Sequence, residues 1–264
     1  NIAQQIKLQL ESGCFEASGP HRAGIWSYAW SDVLQNFRKS NYSLEELRPN
    51  FVSASNTLLV DQNYVRETTT QLELKLFKFL KDFLFEAYLR DFVNIYEFGC
   101  GSGYNLVQLA AKFPDKKLIG LDWSPESVCL LDLIGQKHGF NLSGKRFDFF
   151  NSHTNFELKR DSAVLTFSAL EQVGSKFHNF VAFLLENKPG LCINVEPIEE
   201  FYDHNNTRDA LVLRYHRKRN YLTGFYTYLC LLESQKKLKI INKRRTYFGC
   251  KYHEAYSYII WRPA

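Results

Sequence analysis

Residues 95–104 read IYEFGCGSGY: a short apolar run ends in a carboxylate and passes into glycines at alternate positions. A segment with helical character follows, from Asn105 to Phe113. Glycine lets a backbone turn sharply and approach a ligand closely, and the unpaired N–H groups at the start of a helix attract anions. The pattern therefore predicts a strand, a tight turn and a helix N-terminus beside a ligand.

The glycine spacing distinguishes this turn from two common nucleotide-binding motifs. The dinucleotide fingerprint needs glycine at its first, third and sixth positions, and the sixth position here is Tyr104. A P-loop needs a lysine followed by serine or threonine, which this turn does not contain. The pattern Glu97-x-Gly99-x-Gly101-x-Gly103 resembles the first motif of class I S-adenosylmethionine-dependent methyltransferases. The alternative is a strand–helix turn that binds no ligand.

Length and composition indicate one large domain, or a domain with an extension. The chain has 264 residues, of which 45% are hydrophobic, so it can bury a sizeable core. Its net charge of +5 is too small to indicate a nucleic-acid partner by itself. No run of about eighteen apolar residues occurs, so we predict no membrane span, and we see no signal-peptide pattern.

The six cysteines are scattered along the chain without a C-x-x-C pair. This usage is typical of a reducing compartment and argues against a zinc site or a disulfide framework. We therefore expect a cytoplasmic protein without a metal cluster. The sequence does not indicate an oligomeric state.

From Phe92 onward, strand-like and helix-like segments alternate, which predicts a parallel sheet with helices on both faces. The predicted strands are residues 93–98, 117–121, 145–149, 163–167, 191–195, 237–247 and 255–261. The last two are predicted to form an antiparallel hairpin around a turn. The expected fold class is α/β: a Rossmann-like class I methyltransferase sheet, mostly parallel, with an antiparallel C-terminal hairpin and a helical N-terminal extension.

The chain is predicted to divide near residue 92. Residues 1–92 would be the helical N-terminal extension, with strong helical periodicity over residues 68–89. Residues 93–264 would be the S-adenosylmethionine-binding catalytic domain. The segment near Trp26, Tyr28 and Trp30 is interpreted as a lid over the cofactor or acceptor, with packing on the sheet as the alternative. For the long helix over residues 68–89, packing of its apolar residues on the sheet is favoured over a lid.

The resemblance to methyltransferases covers about residues 92–263, and it implies which residues bind S-adenosylmethionine. The glycine-rich loop would contribute Glu97, Gly99, Gly101 and Gly103. Asp122 ends the second predicted strand about twenty residues beyond the glycines, where a carboxylate binds ribose hydroxyls. Trp123 follows directly and would lie against the adenine ring.

A third contact is implied at the end of the third predicted strand, at Asp148 and Phe149. In the family, an acid here commonly binds the adenine amino group, and the next backbone N–H binds the ring. The alternatives are structural, since Asp122 can cap the helix after Ser124 and Asp148 can be a turn residue. Acids and glycines at three successive strand ends favour the interpretation as a cofactor site.

The acceptor is not identified by these motifs. Residues 168–172 lack the Asn/Asp-Pro-Pro-aromatic motif of amino-methylating DNA enzymes, which argues against adenine methylation. Residues 196–198 and 258–263 resemble uncharacterised bacterial methyltransferases from surface-polysaccharide gene sets. We therefore expect O- or N-methylation of a small-molecule or saccharide-type acceptor.

Two other functions remain open. An RNA methyltransferase is suggested by basic residues within 214–219 and 243–245, although a solvated helix face and a charge-protected edge strand explain them better. A non-catalytic binding protein would share the same fold. Nucleic acid is therefore a less favoured partner than a small molecule or glycan.

Candidates for chemistry on the acceptor side lie past the fourth and fifth predicted strands and in the C-terminal hairpin. Histidine has the pKa best matched to base catalysis near neutral pH, and a base assists a hydroxyl acceptor. We predict His253 and Glu171 as base candidates and His153 as a poorer one. The predicted acceptor-binding residues are Glu196, Tyr202, His204, Trp26 and Tyr28, with Trp26 and Tyr28 in a loop-like aromatic segment that also contains Trp30.

Overall fold

The computed structural model describes residues 2–48, 57–66, 71–151 and 156–264. Its helices are α1 (Ile2–Glu11), α2 (Ala23–Lys39), α3 (Leu72–Tyr88), α4 (Tyr104–Lys112), α5 (Pro125–His138), α6 (His178–Asn187), α7 (Thr207–Arg219) and α8 (Phe225–Ser234). Its strands are β1 (Thr57–Val60), β2 (Asn63–Arg66), β3 (Asn94–Phe98), β4 (Lys117–Asp122), β5 (Leu142–Arg146), β6 (Ala163–Phe167), β7 (Leu191–Val195), β8 (Leu238–Arg244), β9 (Phe248–Cys250) and β10 (Tyr258–Pro263).

The main sheet has the order β5-β4-β3-β6-β7-β10-β8 in the part of the chain that the structure describes. Strands β3 to β7 pair in parallel, whereas β10 is antiparallel to both β7 and β8. Tyr258 pairs with Val195 on one side and Arg244 on the other, so the β8–β10 connection emerges where the parallel strands end. The predicted mostly parallel sheet with an antiparallel C-terminal hairpin is confirmed.

Helices cover both faces because successive strand residues point to opposite sides. Ile95 packs in a cluster with residues of α3, α4 and α5, and its neighbour Tyr96 packs in a second cluster with residues of α6 and α8. Ile260 and Ile259 of β10 divide between the clusters in the same way. Because the central strands are buried on both faces, their sequences are nearly continuous apolar runs, and these runs predicted the strands.

The third predicted strand is misplaced by a few residues. The structure has β5 at Leu142–Arg146, where Gly144 pairs with Gly120 of β4. A Cβ atom at Gly144 would lie 2.6 Å from the carbonyl oxygen of Val128, so glycine lets α5 pack closely on the strand. Asp148 and Phe149 consequently follow the strand in a turn.

The C-terminal hairpin also differs from the prediction. The predicted strand over 237–247 stops at Arg244, and residues 248–250 form β9 where a turn was expected. Strand β9 pairs with β1 in a separate sheet of order β2-β1-β9. Strands β1 and β2 were missed in the sequence; they are joined at Asp61 and Gln62, both with positive φ, as in a tight hairpin turn.

Residues 21–30, expected to be loop-like, contain the first two turns of α2. Trp26 and Trp30 are four residues apart and stack with ring centroids 5.7 Å apart. Tyr28 lies two residues from each, so it points away from that face and is 70% exposed. The alternating aromatics therefore separate into a stacked pair and a solvent-facing tyrosine.

The N-terminal region shares a core with the sheet. Phe37 of α2 and Leu84 of α3 are fully buried in one cluster with Ile95 and Leu109. Helix α1 buries Leu10 in a smaller cluster with residues of α7. The division at residue 92 stays a prediction, and the hydrophobic core is continuous across it.

Candidate functional site

The glycine-rich loop that follows β3 forms the tight turn that the sequence predicts. Gly99, Gly101 and Gly103 have φ values of 69°, 53° and 75°, in the left-handed region that favours glycine. A Cβ atom at Gly101 would lie 2.6 Å from the Trp30 ring, and one at Gly99 would lie 2.4 Å from the Ala169 Cβ. The loop therefore needs glycine both for its conformation and for close packing, and α4 begins directly after it.

A cleft opens at the carboxyl ends of the parallel strands. Its lining comes from the glycine-rich loop, the ends of β4 and β6, the turn after β5, and α2. Much of the lining is aromatic: Trp26, Trp30, Trp123, Phe147, Phe149 and Phe150. Ligands of open α/β sheets bind at this edge, so the cleft is the candidate site.

Glu97 lines the cleft and has one unpaired carboxylate oxygen. It is 1% exposed, and its Oε1 accepts a hydrogen bond of 2.7 Å from Asn105 Nδ2. Its Oε2 is buried without a hydrogen-bond partner among the described residues. Burial raises the pKa of Glu97 to about 7. An unpaired buried carboxylate oxygen costs free energy, so this atom suits a ligand that brings a donor, such as an ammonium group.

Asp122 stands at the end of β4 and holds the loop in place. Its Oδ2 accepts from the Gly101 N–H and its Oδ1 from the Ser124 N–H, each at 3.0 Å. Burial raises the pKa of Asp122 to about 6. The residue thus makes the predicted structural contact at the start of α5 and also lines the cleft. Each carboxylate oxygen has a second lone pair, which leaves acceptor capacity for ribose hydroxyls.

Of the three residues predicted to contact adenine, two line the cleft. Trp123 and Phe149 are lining residues, and Trp123 lies 6.0 Å from Phe150 between ring centroids. Asp148 is not part of the lining, because its carboxylate turns back to accept from the Phe150 N–H at 2.9 Å. The turn interpretation of Asp148 therefore describes this hydrogen bond, and the adenine contact predicted for Asp148 stays a prediction.

Glu196 was predicted to bind the acceptor but binds backbone instead. It is fully buried, and its carboxylate accepts three hydrogen bonds of 3.1 Å from the N–H groups of Ala169, Leu170 and Glu171. These contacts hold the 3-10 turn Leu170–Val173 that follows β6. Burial raises the pKa of Glu196 to about 7.

Glu171 lies one side chain behind the cleft. Burial, reinforced by the Glu196 carboxylate, raises the pKa of Glu171 to about 8. Its Oε1 accepts a hydrogen bond of 2.7 Å from Gln172 Nε2, and Gln172 is the residue that lines the cleft. Gln172 Oε1 in turn accepts from Ser18 Oγ at 2.9 Å and from Arg22 Nη1 at 3.4 Å.

Gln172, Ser18 and Arg22 were not predicted from the sequence. Only Gln172 had a usable signal, since it directly follows Glu171 at the end of a predicted strand. The contact between Ser18 and Gln172 joins residues 154 positions apart, and nothing local predicts it.

His253 does not reach the cleft, which corrects its assignment as a base. It is 6% exposed, and its Nδ1 lies 3.1 Å from His216 Nε2. The two imidazoles pack among Tyr215 and Tyr221. Burial lowers the pKa of His253 to about 3, so it stays neutral in a structural cluster.

The remaining acceptor-side predictions also fall outside the cleft. Tyr202 is buried, and its hydroxyl lies 3.2 Å from both the backbone N and the backbone O of Glu254. His204 is exposed, Tyr28 faces solvent, and neither lines the cleft. His153 lies outside the described residues.

The basic residues that suggested RNA binding are partly engaged elsewhere. Arg245 is clamped between Asp209 and Glu254, with contacts of 2.6 Å to each carboxylate. His216 is 2% exposed, and Arg214 lies 3.9 Å from Glu11. The predicted basic cluster is therefore not one open surface.

Neither a candidate membrane-spanning helix nor a metal-binding cluster is found in the described ranges. No helix there is long and apolar enough to cross a membrane. No group of three or more His, Cys, Asp and Glu side chains in those ranges could hold a metal ion.

The sheet order, the antiparallel β10 and the glycine-rich loop at its edge define the class I methyltransferase fold, and solved structures share it. One is magnesium protoporphyrin IX methyltransferase from Synechocystis PCC 6803 with bound S-adenosylhomocysteine: TM-score 0.53 and 10% identity, covering 76% of this chain and 90% of that one. Another is the 16S rRNA methyltransferase RmtF in complex with S-adenosylhomocysteine: TM-score 0.53 and 11% identity, covering 90% and 76%.

A third similar structure carries a different activity in its name. The cyclase SpnF has a TM-score of 0.55 and 12% identity, covering 77% of this chain and 85% of that one. No family model and no curated protein sequence matches the chain. At these identities the similarity establishes the fold, and the narrower resemblance to surface-polysaccharide methyltransferases gains no support from it. The fold alone does not determine the function, which depends on the residues of the site.

Proposed function

We propose that the protein is an S-adenosylmethionine-dependent methyltransferase acting on a small-molecule or saccharide-type acceptor at oxygen or nitrogen. The observation that carries the proposal is the unpaired Glu97 Oε2, buried in the cleft beside the glycine-rich loop. An acceptor at this point matches the ammonium group of the cofactor's amino-acid end. Nicotinamide dinucleotides and ATP carry no ammonium group to satisfy it.

The other lining residues fit the rest of the cofactor. Asp122 has acceptor capacity for ribose hydroxyls, and Trp123 and Phe149 offer flat faces for adenine. Trp30 packs over Gly101 and keeps solvent from the loop. When bound, S-adenosylmethionine supplies a methyl group already activated by its sulfonium, so the protein's main task is to position the acceptor and exclude water.

We assign the acceptor side of the cleft to Gln172 and Trp26. The Gln172 amide is oriented by Ser18, Arg22 and Glu171, which leaves one of its N–H bonds free to hold an acceptor. Trp26 presents an aromatic face that suits a sugar or another flat group. Glu171 positions Gln172 through their hydrogen bond, and it is Gln172 rather than Glu171 that lines the cleft, so we do not assign Glu171 as the base.

Calorimetry with S-adenosylhomocysteine, NAD and ATP tests the cofactor. The wild type should bind S-adenosylhomocysteine, and Glu97→Gln should weaken binding by at least about tenfold, as expected for a hydrogen bond to a charged group. The exposed Glu45→Gln serves as the control and should bind normally. Tight NAD binding with no response to S-adenosylhomocysteine would refute the proposal.

Turnover is tested by incubating the protein with methyl-labelled S-adenosylmethionine and a cell extract, and then identifying the labelled product. Label in a small molecule or glycan supports the proposed acceptor class, whereas label in RNA supports the alternative. Cofactor binding without any methyl transfer would favour a binding protein or a reaction of another kind on the same fold.

A further inference from the structure

A buried lysine lies behind the candidate cofactor site. Lys81 of α3 is 1% exposed, although lysine is among the residues least often buried without a partner. Its ammonium lies 4.3 Å from the Phe77 ring centroid and 4.6 Å from that of Tyr104. Burial lowers the pKa of Lys81 to about 7, against the opposing effect of the Glu97 charge. Burying an ammonium group costs free energy, which its contacts have to offset.

Lys81 fixes the orientation of one amide. Its Nζ donates to Asn105 Oδ1 at 2.9 Å, and Asn105 Nδ2 donates to Glu97 Oε1 at 2.7 Å. An ammonium group has only donors, so the amide oxygen must face it and the amide nitrogen must face the carboxylate. The Lys81–Asn105–Glu97 chain thus has a single direction of donation.

The Lys81–Asn105–Glu97 series of hydrogen bonds ends at Glu97, a residue that lines the cleft and has one unpaired oxygen. Asn105 occupies Glu97 Oε1 and pins the carboxylate, and Oε2 remains as the buried acceptor. Without Lys81, the Asn105 amide is held only at its nitrogen, because its oxygen loses the charged donor. The amide can then shift away from Glu97 Oε1, which frees the carboxylate to rotate.

We propose that Lys81 is a positioning residue for the amino-acid end of the cofactor, acting through Asn105 to aim Glu97 Oε2 at the cofactor's ammonium group. The inference rests on the proposed function. The affinity for ligands that carry the ammonium group should therefore depend on Lys81. The affinity for ligands that lack the amino-acid end should not.

Two ligands separate this role from general destabilisation. S-adenosylhomocysteine carries the ammonium, whereas 5′-methylthioadenosine keeps the adenine and ribose but lacks the amino-acid end. In Lys81→Met, calorimetry should show binding of S-adenosylhomocysteine weakened about tenfold or more, the range for a lost hydrogen bond to a charged group. Binding of 5′-methylthioadenosine should stay within about twofold, since its contacts at Asp122 and Trp123 are unchanged.

The same helix supplies a matched control. Lys78 lies one turn before Lys81, is exposed and pairs with Asp82, so Lys78→Met should leave both affinities unchanged. A second variant tests the chain at its middle. Asn105→Asp keeps an acceptor for Lys81 but removes the donor to Glu97, and it should give the same selective loss.

The double variant of Lys81 and Glu97 gives the clearest test, because it measures whether the two residues act on binding together. If Lys81 acts through Glu97, Lys81→Met should add little to the loss already caused by Glu97→Gln. Independent, additive losses, an unchanged affinity in Lys81→Met, or an equal loss of both ligands in folded variants would overturn the inference. If Lys81→Met does not fold, Asn105→Asp decides by the same criteria. A wild type that binds no S-adenosylhomocysteine would overturn the proposed function, and the inference with it.

Discussion

Several residues whose side-chain chemistry suggests a role in catalysis do not line the cleft in this protein. Glu171 is ionisable and close to the cleft, yet the residue that lines the cleft is its neighbour Gln172, which donates a hydrogen bond to Glu171. His253 has the side chain best suited to base catalysis, yet it is hydrogen-bonded to His216 in an aromatic cluster. Residue type is visible in the sequence, whereas the direction of a side chain is set by contacts from distant parts of the chain.

The buried Glu171 carboxyl should make stability depend on pH. Its pKa is raised to about 8 in the folded state, so the folded protein retains a proton that the unfolded chain loses above its ordinary value. Stability should therefore fall as pH rises from about 5 to 8. Glu171→Gln should match the wild type near pH 5 and melt at a higher temperature at pH 8.

Thermal melts of wild type and Glu171→Gln across this pH range measure the effect. The exposed Glu46→Gln is the control and should follow the wild type at every pH. A difference between wild type and Glu171→Gln that does not grow with pH would contradict the raised pKa.

Among the secondary-structure elements, α2 has two tasks along its length. Its first half places Trp26 and Trp30 on the cleft, and its second half buries Phe37 in the main core. The segment before it is tied down as well, because Ser18 bonds to the backbone oxygen of Arg219 and accepts from Asn220 through its carbonyl. The helix is therefore a fixed wall of the cleft that is built into the core.

Two substitutions on α2 should separate these tasks. Phe37→Ala removes a fully buried ring and should lower the free energy of unfolding by about 3–5 kcal/mol. Trp30→Ala removes the ring over Gly101 and should weaken S-adenosylhomocysteine binding with a smaller loss of stability. Denaturant unfolding and calorimetry on the same two proteins measure both. An equal loss of stability in the two variants would argue against a division of tasks.

At the scale of the whole molecule, the sheet was predictable and the acceptor side was not. Buried strands such as β6 and β7 are nearly continuous apolar runs, and the alternating glycines of the loop predict its turn from local sequence alone. The β1–β9 pairing joins residues near 59 to residues near 249, and the small sheet it forms has short, weakly patterned strands. Residues that meet only through such long-range contacts carry no local signal.

The distribution of tryptophan has an optical consequence. Three of the four tryptophans line the cleft, namely Trp26, Trp30 and Trp123, and the fourth, Trp261, is fully buried and donates to Asn194. Intrinsic fluorescence should therefore report on the cleft above a constant background from Trp261. Titration with S-adenosylhomocysteine should change the emission, and Trp261→Phe should retain that change. An emission spectrum that does not change at saturating ligand would place the binding site elsewhere. The tryptophans are thus an intrinsic probe of whether S-adenosylhomocysteine binds in the cleft.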